Sequence, residues 1–472
     1  MTEPTWTALL PPLLAIGFAI ATRQVIPSLV AGIWLGYGLL GDGNPFTALA
    51  EAIDGILAVF ADAGDTRVIL FMLLIGSMIA VIEHTGGVRG FVGLLERRRW
   101  VDSPGKAQWL AWGTGLVVFI ESTVTLLVAG ALARPLFDRF RLSRERLAYL
   151  IDSTSAPICI LIPLNAWGAV NLGLLEGTDV ADPLGTFIAA VPLNFYAFAT
   201  VILAALTIRF GIALGPMARA DARTRKGEML WPNASPVVDP ALVAGDTQDA
   251  TAAPPGRALA MAVPILVLVA TVPAGLWITG DGDFTAGSGS TAVLWGVLAG
   301  LAAAWGFALR QGESLDGLMG LSLRGAGALL PVSTLLLLAL ALGDVARALG
   351  TGPYLAGLVS EAVPAFLLPA LIFLVSAFTA FSIGSSFGTF ALMIPLAIPV
   401  ALGLDLSAPL FLAAVLSGAV FGDHASPISD TTVVASMAAA TDHIDHVRTQ
   451  LPYALLAAGV ATVGFVVAGA LL

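Results

Sequence analysis

Lysine occurs only twice in this chain, at Lys106 and Lys226, and cysteine only once, at Cys159; charged residues of every kind fill 11% of the 472 positions. Each shortage excludes something. One cysteine rules out internal disulfides and thiolate metal clusters, and its apolar neighbours mark it as a buried, inert thiol. A charged fraction less than half the roughly 25% of soluble domains, with a net charge of −10, leaves no basic surface for nucleic acid. No Gly-x-x-x-x-Gly-Lys-Ser/Thr loop is present to hold a nucleotide for ATP-driven work. Strand-like alternation of the barrel kind is missing too. The stretch Met1–Thr7 lacks the basic n-region of a cleaved signal peptide, so the first apolar segment is expected to stay as a transmembrane helix.

What fills the chain instead is apolar sequence, at 57% hydrophobic residues. Lipid satisfies no backbone polar group, so these segments are expected as helices, or as irregular backbone buried among helices. The fold class is therefore an all-α polytopic membrane protein, with the lipid bilayer as its surroundings and the cell membrane as its location. In the first half, spans are expected at 7–22, 25–40 and 68–84, with an amphipathic surface piece at 46–62. A Gly86-Gly87 arm over 88–95 and the basic run Arg97–Arg99 follow. A hairpin over about 109–136 is cut by Glu121-Ser122-Thr123, with arms of about 12 and 13 residues that reach only ~18 Å each. Both its flanks are basic, so it is expected to enter and leave on the cytoplasmic side. A span over 147–167 and another at 185–208 complete residues 1–210.

Residues 211–256 read as a polar cytoplasmic linker, with Pro254-Pro255 and no signature of its own. Residues 257–472 then repeat the order: spans at 258–278, 290–309 and 327–346, a surface piece at 312–323, and a hairpin at 364–403 cut by Ser382-Ile-Gly-Ser-Ser-Phe-Gly388. The hairpin flanks carry Glu361 and Asp405 and no basic residue, so this one enters from outside. A span over 408–440 and a last helix at 451–472 follow. The threading leaves only Arg67 and Arg347, of the 22 Lys and Arg residues, outside the cytoplasmic side. Two halves of opposite orientation form an inverted-topology repeat, the architecture of alternating access about a midplane site.

Two polar strings sit at matching places in these halves. Gly422-Asp-His-Ala-Ser-Pro-Ile-Ser-Asp-Thr-Thr432 lies in an apolar span, and Asp152-Ser-Thr-Ser-Ala-Pro-Ile158 is its diluted copy, aligned through Pro157 and Pro427. Ionisable groups at membrane depth mark a functional site. Each proline is expected to break its helix and free carbonyls, and with hydroxyls and a carboxylate this makes an oxygen cage for a hard cation such as Na⁺. The hairpin tips Glu121-Ser122-Thr123 and Ser385-Ser386-Phe-Gly-Thr389 supply a further wall; their hydroxyls serve equally as caps of the tip turns. Asn165 offers an amide oxygen to a substrate. His424 suits either a pH sensor or an orienting partner for a carboxylate. Asp442, His443, Asp445 and His446 read as a solvated cytoplasmic loop.

The string at 422–432 resembles the signature of the NhaC family of Na⁺/H⁺ antiporters within the ion transporter superfamily, and through the repeat the resemblance extends over nearly the whole chain. It implies a scaffold part and a mobile transport part, commonly dimeric and elevator-like. It also implies Na⁺ and H⁺ as the exchanged ions, and no enzymatic activity. Carried onto this sequence, Asp152, Asp423 and Asp430 become the cation and proton carboxylates, with Na⁺ at Asp152 and Asp423. Ser122, Thr123, Ser155, Ser385, Ser386, Ser426, Ser429 and Thr431 become neutral ligands. The family also holds exchangers of organic acids and amino acids, so a small organic substrate is the alternative. An intramembrane aspartyl protease is disfavoured, because Val420-Phe-Gly-Asp423 lacks the first glycine of its Gly-x-Gly-Asp pattern.

Overall fold

A computed structural model describes residues 5–471 apart from 23, 42, 88–89, 91–100, 118, 120–121, 164, 237–257, 283–286, 355–356 and 358–362. Glu121, most of the 88–95 arm, Arg97–Arg99, Pro254-Pro255 and Glu361 therefore lie outside the described residues. The described chain is helical throughout. Among the described residues, eight helices are long and apolar enough to cross a membrane, and two bent pairs would raise the number to ten.

The first half opens with α1 (Leu10–Thr22), α2 (Val25–Leu40), α3 (Pro45–Ala58) and α4 (Ala63–His84). Asn44 caps α3 by accepting from the Phe46 amide, and α3 turns away from α2 by 116°. Its exposed face carries Phe46, Leu49, Ile53 and Leu57, as the expected surface piece requires. The second half answers with α13 (Leu259–Thr279), α14 (Gly289–Arg310) and α15 (Leu315–Ala348). Here the separate surface piece and span expected at 312–323 and 327–346 are one 34-residue helix, bent by 43° near Pro331. A proline inside a helix removes one hydrogen bond and kinks the axis without ending it.

These seven helices pack as a scaffold, and their pairings come in matched sets. α1 lies on α2 as α13 lies on α14, and α2 meets α15 as α14 meets α4. At the centre α4 crosses α15 through Gly76 and Gly325, where a Cβ on either would collide with the other's carbonyl.

The remaining elements form the second part. The first hairpin is α5 (Pro104–Val117) and α6 (Ser122–Arg139), followed by the broken span α7 (Arg144–Asp152), α8 (Ala156–Cys159) and α9 (Ala166–Glu176), then α10 (Pro183–Ala190) and α11 (Phe195–Phe210). The second hairpin is α16 (Leu368–Ile383) and α17 (Ser386–Gly403). The broken span α18 (Ala408–Ala425) and α19 (Asp430–Ala439) and the long α20 (His443–Leu471) complete the chain. Again the pairings match: α6 packs on α7 as α17 packs on α18, and each second hairpin arm crosses to the other half, α6 against α19 and α17 against α9. The internal repeat is thus visible in the packing itself.

The first hairpin differs from expectation in length. Its arms have 14 and 18 residues, about 21 and 27 Å at 1.5 Å per residue, because α6 continues through Pro135 to Arg139. The linker differs more. Its beginning folds as α12 (Gly215–Arg225), which docks by buried ion pairs. Asp221 accepts from Arg146 at 2.6 Å and from Ser143 at 2.5 Å, and Arg223 donates twice to Glu145, at 2.8 and 3.0 Å. The Arg223 guanidinium also stacks 4.7 Å from the Trp231 ring.

Candidate functional site

Both broken spans stop at an aspartate or just past it. α7 ends on Asp152 and α18 ends two residues after Asp423, and the two side chains are 1% and 2% exposed. Pro427 lies in the gap before α19, whereas Pro157 stands in the first turn of the short α8. The gaps leave the last carbonyls of each half-helix without intrahelical donors.

Around Asp423 the neighbours are hydroxyls. Ser386, the first residue of α17, donates to Oδ2 at 2.7 Å, and Ser429 donates to Oδ1. Ser429 also pairs with Thr431 at 2.9 Å and caps α19 through the Thr432 amide. Thr432 Oγ1 donates to the Asp423 carbonyl at 3.3 Å. The second hairpin tip is fixed onto this gap. Ser426 Oγ donates to the Phe381 carbonyl at 2.8 Å, and Gly384, left-handed at φ 74°, lies so close to the Ile428 backbone that a Cβ there would overlap it. Gly418 and Gly422 let α18 seat directly on the Phe373 and Ala377 carbonyls of α16.

Around Asp152 the neighbours are nitrogens. Oδ2 accepts from Gln450 Nε2 at 2.7 Å and lies 3.3 Å from His446 Nε2 and 4.0 Å from His424 Nε2. His424 pairs with Ser153 at 3.3 Å and with the Tyr196 hydroxyl at 2.7 Å. The first hairpin reaches this gap as the second reaches its own: the Phe119 carbonyl accepts from Asn165 Nδ2 at 3.1 Å and from the Cys159 thiol at 3.6 Å.

The structure thus brings Ser386 and Ser429 to Asp423, with Thr431 on Ser429, and His424 toward Asp152. Other expected ligands do local work. Ser385 caps α17 through the Gly388 amide, Thr389 donates back to the Ser385 carbonyl, and Ser155 donates to the Asp152 carbonyl. The Asn165 amide oxygen accepts from the Gly168 amide as the cap of α9. Ser122 and Thr123 open α6, Ser122 being buried, and Asp430 opens α19, its side chain lying outside the described residues. The largest correction concerns 442–446. Only Asp442 plays the loop role, capping the next helix through the Ile444 and Asp445 amides. His443 and His446 belong to α20, and His446 is 0% exposed against Asp152.

Residues 171–470 match the model of the Na⁺/H⁺ antiporter family. The chain belongs to that family. It is a secondary transporter of the antiporter type, and an integral protein of the cell membrane. An uncharacterized protein of Haemophilus influenzae is 32% identical over 99% of this chain and 91% of its own length. Shorter stretches match two proteins with named substrates. The arginine/ornithine antiporter ArcD of Halobacterium salinarum is 32% identical over 38% of this chain and 36% of its own, and the malate-2H⁺/Na⁺-lactate antiporter of Bacillus subtilis is 38% identical over 22% of each. Among solved structures, the Neisseria gonorrhoeae MtrF transporter superposes with a TM-score of 0.61 at 15% identity, over 89% of this chain and 84% of that one. The Alcanivorax borkumensis YdaH transporter gives 0.57 at 16% identity, over 89% and 88%. At such identities the antiporter family member shares with them a fold.

Proposed function

We propose that this chain exchanges Na⁺ for H⁺ across the cell membrane by alternating access, the hairpins and broken spans moving as one elevator-like part along the scaffold of α1–α4 and α13–α15. The observation that carries the reading is Asp423, a buried carboxylate held by hydroxyls that can turn their lone pairs toward a cation. A bare carboxylate is costly to carry across the membrane interior. The site therefore crosses loaded, with a proton in one direction and with Na⁺ in the other, which makes the movement an exchange. Homodimers are part of the proposal, since scaffold helices such as α13 and α14 expose broad apolar faces to lipid or to a second copy.

The test is Na⁺-driven proton movement in proteoliposomes containing no organic solute. Asp423→Asn is expected to abolish it and Asp152→Asn to lower it at least tenfold; unchanged movement in both variants would overturn the assignment. A second reading, coupled exchange of a small organic anion or amino acid, draws on the two short stretches similar to antiporters of such solutes. It prevails if Na⁺ and proton flux appear only when amino acids or hydroxy acids are supplied.

A further inference from the structure

α20 opens with His443, His446 and Gln450, whose spacing of three and four places them along one helical face. That face touches both broken spans. His443 Nε2 lies 2.7 Å from the Pro427 carbonyl, and its Nδ1 lies 3.1 Å from Ser436 Oγ. His446 reaches Asp152 Oδ2, and Gln450 Nε2 donates both to that oxygen and, at 2.5 Å, to the His424 carbonyl. His446 and Gln450 are 0% and 1% exposed.

An inverted repeat implies two equivalent half-sites, and these side chains make them unequal. A serine hydroxyl that donates to a carboxylate can rotate and present a lone pair to an arriving cation. A carboxamide nitrogen has no lone pair to offer, and an imidazole nitrogen in hydrogen-bond contact with an ionised carboxylate must donate. A cation placed on Asp152 would therefore face the positive ends of the Gln450 and His446 dipoles. The other oxygen, Oδ1, has no hydrogen-bonding partner among the described residues, so what closes Asp152 to a cation is the pair of donors on Oδ2. The His424 carbonyl, for its part, belongs to the last turn of α18, where carbonyls lack helical donors. By holding it, Gln450 fixes the last turn of α18 at the residue that follows Asp423.

We infer that α20 makes Asp423 the single cation seat of this transporter, with Asp152 as the anchor through which the positioning residues Gln450 and His446 hold the end of α18. The inference rests on the Na⁺ reading above and assigns different roles to two carboxylates that the repeat presents as a pair.

The experiment follows the melting temperature of the purified full-length protein with NaCl against choline chloride, together with initial exchange rates in proteoliposomes. Wild type is expected to gain stability in Na⁺. Asp423→Asn should lose that gain, whereas Asp152→Asn, whose amide oxygen still accepts from Gln450, should keep it while exchanging slowly. Gln450→Leu should raise the half-saturating Na⁺ concentration about tenfold, the usual scale for a lost hydrogen bond to a charged group, with the maximal rate within about twofold. His446→Leu should do the same and His446→Gln should restore the wild-type value, a rescue that general loss of packing would not give. Melting in Na⁺-free buffer reports whether each variant is folded. Ser429→Ala, which leaves both carboxylates in place, gives an independent reading, with a weakened Na⁺ response expected. A Na⁺ response lost equally in Asp152→Asn and Asp423→Asn overturns the inference alone, as does a Gln450→Leu that lowers the maximal rate at unchanged half-saturation. A wild type that ignores Na⁺ in both assays overturns the Na⁺ reading and the inference with it.

Discussion

Ser386 and Ser429 hold the two oxygens of Asp423 from different elements, the second hairpin and the cap of α19. Each contact is a hydrogen bond to a charged acceptor, the stronger class at about 1.5–3 kcal/mol. Removing one hydroxyl should loosen the carboxylate without deleting it. For Ser386→Ala we expect the half-saturating Na⁺ concentration to rise by about one order of magnitude, with the double variant Ser386→Ala/Ser429→Ala higher still; initial rates across a Na⁺ titration check this. The Glu145–Arg223 pair behaves differently. Both side chains are essentially buried, at 0% and 3% exposure, so breaking the pair from one side leaves a charge with no solvent. Glu145→Gln should lower stability by about 3–5 kcal/mol. Glu145→Gln with Arg223→Met should recover a good part of that loss. Thermal unfolding in detergent distinguishes the two variants.

At the scale of elements, the second hairpin and α18 depend on small residues. A side chain at Gly418 or Gly422 would occupy the space of a backbone carbonyl on α16, which cannot move aside as a flexible side chain can. Gly422→Val should therefore destabilise by about 1–3 kcal/mol or more, read as a lower melting temperature and as lost exchange. Much of this level was readable from residues alone. Pro427 and the polar string around it marked the second break, the serine-rich tips marked both hairpins, and opposite flanking charge gave the repeat its inversion. What escaped was the polar sequence that is buried by protein rather than by lipid. Hydropathy reports what faces lipid, so the first turns of α20, with Asp445, His446, Thr449 and Gln450, read as loop although His446, Thr449 and Gln450 are all buried. The linker helix α12 escaped for the same reason, since Arg223 and Asp221 look solvated until their partners on α7 are known. The break expected between 323 and 327 was misplaced in the other direction: α15 runs through it and bends near Pro331 instead.

For the whole molecule, the side bias of Lys and Arg sets an orientation for the two halves. The topology gives a direct expectation for labelling. A cysteine at Asn233, exposed next to α12, should react with an impermeant maleimide only after the membrane is opened. One at Asp179, exposed in the acidic loop between α9 and α10, should react on intact cells. The opposite pattern would invert the orientation.

The single native thiol has a use of its own in such work. Cys159 is 0% exposed, in the α8 turn, with its sulfur against the Phe119 carbonyl at the first hairpin tip. Only the thiolate reacts at an appreciable rate, and it must meet its reagent. If hairpin and broken span travel together as one body, Cys159 stays shielded through the entire cycle and a permeant alkylating reagent leaves it unmodified during turnover. If the hairpin instead lifts from its gap to admit cargo, alkylation accelerates under the same gradient that drives transport. The chain thus carries a chronometer at the contact where the two modes of opening differ.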